Sequence, residues 1–312
     1  MHTSKEAMEE IMRDKNLLIL EKIIIVAIFT ALCTAATFIQ FKMPSGDMVH
    51  LGNFVMIMAA LLLGGIIGGA VGSLGMGLYD LIFYTSKPST IIRTFILKFL
   101  IGFIVGFVFR LILKKKINTK YLLIGSSIFF LLIFGISLTL FLIGNKDAFS
   151  INNGLSATIA NFLGTGKTLK VSLYIPIFSL VFFIGMTLAV IFSKKLSTRS
   201  KAALFAVTLA VLVNILGEFI LRWTLEGIFN TYVSEIDNGF KVSLATATSK
   251  IPGSVITGFV SVFIAVLIYE PVYRGVKNVN VFKDDTEGLI EEENEEVILE
   301  NDKELEVSYD NK

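Results

Sequence analysis

Charged side chains interrupt several apolar segments of this 312-residue chain, and they are the groups best able to do chemistry. Asp80, Lys98 and Glu218 each stand in a hydrophobic run, where a charge is costly unless it lines a cavity or has a charged partner. Glu218, Arg222 and Glu226 follow at intervals of four residues, so they share one face of a helix. These groups could bind a polar ligand. They could equally neutralise one another, as a salt-bridge ladder within one helix and as Asp80 against a nearby cation.

The elements that must position these residues are membrane helices. Hydrophobic residues make up 54% of the chain and charged residues 17%, against about a quarter in ordinary soluble domains, and the mean hydropathy is +0.74. A membrane-spanning helix needs about 20 apolar residues. The hydropathy predicts eight membrane segments, the second and third joined by a tight turn at Gly64 and Gly65: residues 22–41, 51–63, 66–84, 91–113, 121–143, 171–192, 202–229 and 251–269.

The distribution of cations predicts how these segments are oriented. Lys and Arg are frequent before the first segment, in residues 114–120 and 194–201, and after the eighth segment. Short cytoplasmic connections carry such an excess of cations. We therefore predict a multi-pass protein of the cell membrane with both termini in the cytoplasm. Residues 276–312 are predicted to form an acidic cytoplasmic tail, since residues 283–312 contain 13 acidic and 3 basic side chains.

With this orientation, the polar residues of the membrane segments lie in the outer half of the membrane. Asp80 is near the outer end of the third segment, Arg93 and Lys98 are in the outer half of the fourth, and residues 214–226 come late in the seventh. A pathway for protons or ions would need polar groups through the full depth. A pocket open to the outside would not, so the distribution favours a pocket.

Small residues form two further patterns. Ala27, Ala31 and Ala35 recur at intervals of four and give the first segment a smooth stripe, which allows another helix to approach closely. That helix could belong to the protein itself or to a partner, and the spacing leaves both open. Seven glycines between Gly64 and Gly77 likewise permit tight packing of the third segment.

Several kinds of site are not predicted. One cysteine excludes a disulfide framework, and two histidines leave little for a metal centre, so we expect neither a metal nor a cofactor. Residues 161–168 (NFLGTGKT) superficially suggest a phosphate-binding loop. The pattern needs glycine where Asn161 stands, and it needs a preceding β-strand.

One stretch resembles a known family. Residues 49–54 read VHLGNF, residues 59–82 form a run of small and apolar residues, and residues 75–81 read GMGLYDL. This stretch is similar to the substrate-binding S components of energy-coupling factor (ECF) vitamin importers, most closely to the pyridoxine and hydroxymethylpyrimidine carriers. The resemblance implies a high-affinity binder, capped by residues 42–50, for a vitamin-sized molecule from outside. It also implies that the alanine stripe docks on a membrane T component, which works with two cytoplasmic ATPase subunits.

The resemblance covers residues 22–113 and 202–272, which correspond to the six-helix bundle of the family. We therefore predict an all-α polytopic membrane bundle with a six-helix core. Residues 114–201 are predicted as an inserted helix pair with a long outside loop, residues 1–21 as a cytoplasmic arm, and residues 202–275 as the last part of the bundle.

These expectations give a functional hypothesis: the substrate-specificity subunit of an ECF-type importer, with no enzymatic activity. An ion-coupled secondary transporter and an integral membrane lipid-modifying enzyme are the alternatives. The predicted ligand contacts lie at the cap and on the third, fourth and seventh segments: His50, Asn53, Asp80, Tyr84, Lys98, Asn214, Glu218 and Trp223. For Trp223 and His50, a position at the membrane interface is an alternative explanation.

Overall fold

The computed structural model describes residues 2–42, 48–144 and 174–279. This part of the chain is an all-α polytopic membrane bundle with one short β-hairpin. The predicted acidic tail beyond residue 279 lies outside the described residues, as do residues 145–173, which include the NFLGTGKT sequence. The elements are α1 (His2–Phe38), β1 (Gln40–Lys42), β2 (Met48–His50), α2 (Gly52–Leu63), α3 (Gly65–Phe83), α4 (Pro88–Lys114), α5 (Thr119–Gly144), α6 (Tyr174–Ile191), α7 (Thr198–Leu221), α8 (Gly239–Ser249) and α9 (Ile251–Val276).

Each of the eight predicted segments coincides with a helix. Six of these helices are long and apolar enough to cross a membrane, whereas α2 and the apolar part of α6 are shorter. The predicted turn between α2 and α3 is confirmed, because Gly64 has a φ of 97°, a conformation that side-chain-bearing residues rarely adopt. Other boundaries have local causes: Pro88 lies in the first turn of α4, and the hydroxyl of Ser197 caps α7 by accepting from the Ser200 amide at 3.0 Å.

Two elements were not predicted. The connection between α1 and α2 is the antiparallel hairpin β1–β2, in which Phe41 is paired with Val49. The connection of residues 230–250 contains α8, which packs on the end of the preceding helix. That end is wound as two π-helical turns, Arg222–Glu226 and Phe229–Val233.

Six helices, α1, α2, α3, α4, α7 and α9, pack around one another. Helices α3 and α4 approach each other closely where glycines of the two helices face each other. A Cβ on Gly102 would lie 2.5 Å from the carbonyl carbon of Gly68, and one on Gly106 would collide with the backbone nitrogen of Gly65. The two backbones are therefore in direct contact in the half of the α3–α4 pair that contains these glycines, and no side chain fits between them.

The pair α5–α6 packs mainly on itself and touches the remaining bundle through α7 and α9. Phe130 of α5 stacks on Phe182 of α6 with ring centroids 4.8 Å apart, and Phe182 meets Phe259 of α9 edge-on. This peripheral position agrees with the division of the chain into a six-helix core and an added pair, which stays a prediction.

Candidate ligand-binding cavity

A cavity of about 490 Å³ opens at one end of the bundle. At this end α1, α3 and α7 finish, while α4 and α9 begin, and we call it the cavity end. The volume lies in the usual range of small-molecule sites. None of the described residues of the α5–α6 pair lines the cavity. Its lining includes polar side chains of α3, of α4, of α7 with the π-helical turn that follows it, and of the hairpin: Gln40, His50, Tyr79, Asp80, Arg93, Thr94, Lys98, Asn214, Glu218, Arg222 and Glu226.

Four of these side chains form a closed ion network between α4 and α7. Arg93 lies 3.3 Å from Glu218 and 2.6 Å from Glu226. Arg222 pairs with the same two carboxylates at 3.2 Å each, one helical turn before and after it. The predicted ladder within one helix is therefore present, and Arg93 joins it from the neighbouring helix. The network contains two cations and two anions, so its formal charges cancel.

Lys98 lies one turn deeper along α4 than Thr94 and is only 5% exposed. Its ammonium donates to the amide oxygen of Asn214 at 3.2 Å, and the Asn214 nitrogen donates to the carbonyl oxygen of Ser254 on α9 at 3.4 Å. The second of these bonds fixes the orientation of the amide, so that its oxygen faces Lys98. Among the described residues, no carboxylate forms an ion pair with Lys98.

Asp80 lines the same cavity from α3. One of its carboxylate oxygens accepts a hydrogen bond from the hydroxyl of Thr94. The two cations that could have neutralised it, Lys98 and Arg93, form no ion pair with it in the described structure. Asp80 and Lys98 are thus opposite charges in one cavity, each held by a neutral side chain.

The β-hairpin covers part of the cavity near α1. His50 and Gln40 line the cavity, and Gln40 donates to the Tyr79 hydroxyl at 2.9 Å. Burial, reinforced by the charge of Lys98, lowers the pKa of His50 to about 3. His50 is therefore neutral at physiological pH, and its buried Nδ1 has no hydrogen-bond partner among the described residues.

Six of the eight predicted ligand contacts line this cavity: His50, Asp80, Tyr84, Lys98, Asn214 and Glu218. The other two do not. Asn53 is buried beneath the cavity, beside a separate void of about 10 Å³ that Asn214 also borders. Trp223 lies on the first π-helical turn and is 39% exposed. Ligand contact stays a prediction for all eight residues.

Sequence reasoning placed Arg93 near this group without proposing it as a site residue, and it did not find Gln40, Tyr79 or Thr94. Arg93 carried a signal, because it is a cation within an apolar segment only five residues before Lys98. The other three residue types are common in membrane helices and at their ends, so their position in the sequence gave no such signal.

The end of the bundle opposite the cavity carries the cation-rich connections. Lys115 and Lys116 follow α4, Lys194 and Lys195 follow α6, and Lys277 follows α9. Between these ends and the cavity the helices are closely packed, and the void beside Asn53 is far smaller than the cavity. Within the described residues, no group of three or more His, Cys, Asp or Glu side chains could hold a metal ion.

The alanine stripe of α1 faces away from the bundle. Ala27, Ala31 and Ala35 are all exposed, whereas Cys33 and Thr37 on the other side of the helix are buried. Of the two explanations that the spacing left open, packing against the described helices of the protein is therefore wrong.

Residues 18–167 match a family model described as ECF-type riboflavin transporter, S component. The matched residues run from α1 through α5, a little under half of the chain, and include the alanine stripe and the α3–α4 side of the cavity. No curated protein and no solved structure matches the chain. The match supports the S component predicted from the sequence but not its pyridoxine and hydroxymethylpyrimidine subgroup. The amino-terminal half of this membrane protein is thus similar to the S component of an ECF-type transporter.

Proposed function

We propose that the protein is the substrate-binding subunit of an ECF-type importer and binds a small vitamin or vitamin precursor from outside the cell. The observation that carries this proposal is the cavity of about 490 Å³, which collects ionisable groups of three helices at one end of an apolar bundle. A charge inside a membrane segment is costly, and it persists where it has a function. The family match over residues 18–167 supports the same function.

The direction in which the cavity opens follows from the charges of the connections. The lysine-rich connections after α4, α6 and α9 lie at the opposite end, and such connections face the cytoplasm. The cavity end then faces outward, as capture of an external substrate requires. The close α3–α4 contact beneath it supports a binding protein that cannot by itself pass its ligand through the membrane.

Riboflavin is the first substrate to test, because the matched family is described by it. The volume of about 490 Å³ is in the range of sites for drug-sized molecules, which a tricyclic vitamin with a side chain fills better than a single ring. Pyridoxine and hydroxymethylpyrimidine, the substrates of the subgroup that the sequence resembles, are the smaller candidates.

The proposed partners are a T component in the membrane and two cytoplasmic ATPase subunits. The exposed face of α1 supports this proposal, because Ala27, Ala31 and Ala35 leave room for a closely packed helix. Ala31→Trp should abolish co-purification with a T component while ligand binding is retained. The matched control is Ile128→Trp, on the exposed face of α5, which should alter neither property.

Three measurements test the proposed function. Mass spectrometry of the protein purified in detergent should find a small molecule bound in a ratio of about one to one, unmodified. The midpoint temperature of thermal unfolding should rise with riboflavin, pyridoxine or hydroxymethylpyrimidine.

In vesicles, the chain alone should bind its ligand without taking it up. Uptake by the chain alone that a protonophore abolishes would contradict the proposal in favour of an ion-coupled transporter, and turnover of a lipid would contradict it in favour of an enzyme.

A further inference from the structure

The charged groups of the cavity fall into two sets that differ in how well they are satisfied. In the network of Arg93, Arg222, Glu218 and Glu226, each guanidinium pairs with both carboxylates. Its formal charges cancel without a ligand, although the buried Nε atoms of Arg93 and Arg222 donate no hydrogen bond among the described residues. It joins α4 to α7 and so fixes the shape of one cavity wall.

Lys98 is not satisfied in this way. Its ammonium carries three N–H donors, and Asn214 is the one acceptor that the described residues offer it. The side chain is 5% exposed, so bulk water gives little compensation. A hydrogen-bond acceptor on a ligand would satisfy a further N–H donor of Lys98, and a carboxylate or a carbonyl oxygen is such an acceptor.

Asp80 presents the complementary group. Thr94 donates to one of its two carboxylate oxygens, and no described residue donates to the other. Asp80 and Thr94 stand on facing helices, and Lys98 lies one turn from Thr94 on the same helix, so the anion and the cation share one wall of the cavity. A ligand that pairs with both must carry a hydrogen-bond donor beside its acceptor.

We infer that Lys98 and Asp80 form the recognition pair of the cavity and select a molecule whose polar edge carries a carbonyl or anionic acceptor beside an N–H or ammonium donor. This inference rests on the proposed function and assigns the chemistry of its substrate. The four-residue ion network then serves as a positioning element. Imide edges of flavins and zwitterionic hydroxypyridines have this pattern, whereas a cation without an acceptor does not.

The test uses the full chain in detergent with three probes: riboflavin, pyridoxine and hydroxymethylpyrimidine. For the probe that binds the wild type most tightly, Lys98→Met and Asp80→Asn should each raise Kd about 10- to 100-fold, the range expected for loss of a hydrogen bond to a charged group. Lys120→Met is the matched control, since Lys120 is exposed at the opposite end, and it should leave Kd unchanged.

Folding of the variants is checked by their unfolding midpoint without a probe. Loss of an unpaired buried ammonium should not lower that midpoint, since Met fills a similar volume without a desolvated charge. A riboflavin analogue methylated on its imide nitrogen gives a second measurement. If riboflavin is the bound probe, the methyl group should weaken binding to the wild type and have a much smaller effect on Asp80→Asn.

The outcomes separate the inference from the proposed function. If the wild type binds a probe and both variants bind it equally well, the inference is wrong and the proposed function stands. If the wild type binds none of the probes and retains no small molecule on purification, both are wrong. If only the control variant weakens binding, the assignment of Lys98 and Asp80 is likewise overturned.

Discussion

The two halves of the α3–α4 pair differ sharply in how the helices meet. Toward the end opposite the cavity, glycines of both helices bring the backbones together, with Gly102 against Gly68 and Gly106 against Gly65. Toward the cavity end the same helices carry Asp80, Arg93 and Lys98, and the space beside them is a cavity of about 490 Å³. One pair of helices thus packs backbone to backbone over one half of its length, which we call the closed half, and lines the cavity over the other, the open half, where side chains still connect the two helices.

The difference shows how a membrane bundle can hold several charges without losing its fold. Helices in lipid associate through close packing rather than through the hydrophobic effect. The glycine-lined half supplies this packing. The charged half contributes less packing, so its stability depends on how completely the charges are paired.

The ion network lies in the open half, and breaking it should lower the free energy of unfolding more than the other substitutions do. Arg93→Met leaves Glu218 and Glu226 with Arg222 as their partner in the network, and removal of one member of a buried ion pair costs about 3 kcal/mol or more of unfolding free energy. Titration with SDS in mixed micelles measures this loss. Arg274→Met is the matched control, since Arg274 pairs with Glu270 at 3.1 Å but is 73% exposed on its side chain.

The control variant should lose no more than about 1 kcal/mol, because exposed ion pairs contribute little. Equal losses in the two variants would mean that burial does not strengthen the network. The ion pairs of the open half would then stabilise the protein no more than exposed ion pairs do.

A methyl group should be enough to disturb the closed half. In Gly106→Ala the new Cβ would meet the backbone nitrogen of Gly65 and, at 2.7 Å, the carbonyl oxygen of Ala60, neither of which can rotate away. We expect a loss of about 1 to 3 kcal/mol, typical of overpacking. Gly135→Ala on α5 is the control, since its Cβ would meet no atom within 4 Å.

The control should be neutral or slightly stabilising, because alanine is the better helix former. The same SDS titration compares both variants. A Gly106→Ala protein as stable as the Gly135→Ala protein would show that the helices can separate there at no cost, and the contrast between the two halves would disappear.

Much of this contrast could be predicted from the sequence. The length of the apolar runs predicted the eight helices. The position of each charge along its run predicted that Asp80, Lys98 and Glu218 lie at a similar depth in the membrane. The spacing of Glu218, Arg222 and Glu226 identified their common face. All of these are local properties, which depend on the period and rise of a helix rather than on its neighbours.

What could not be predicted depends on contacts between distant parts of the chain. Nothing in the sequence around Arg93 shows that it completes the network of α7. The spacing of Ala27, Ala31 and Ala35 is the same whether the stripe faces a neighbouring helix or the outer surface of the bundle. Trp223 lies late in the seventh segment, on a π-helical turn that the apolar pattern did not predict, and such a turn departs from the period of an α-helix. Rotation of a helix about its axis is set by tertiary packing.

The smallest expected effect concerns the hairpin that covers the open half. The pKa of His50 is lowered from about 6.5 to about 3, by burial first and by Lys98 second, with Glu218 opposing. Between these values the unfolded chain binds a proton that the folded protein does not, so acidification favours unfolding.

The wild type should lose at most about 1.4 kcal/mol of unfolding free energy per pH unit below pH 6.5 from this residue. His50→Gln should lose less over the same range, and SDS titrations at pH 7 and pH 5 measure the difference. Identical pH dependence of the two proteins would mean that His50 is accessible to protons in the folded state, and that the hairpin does not shield it.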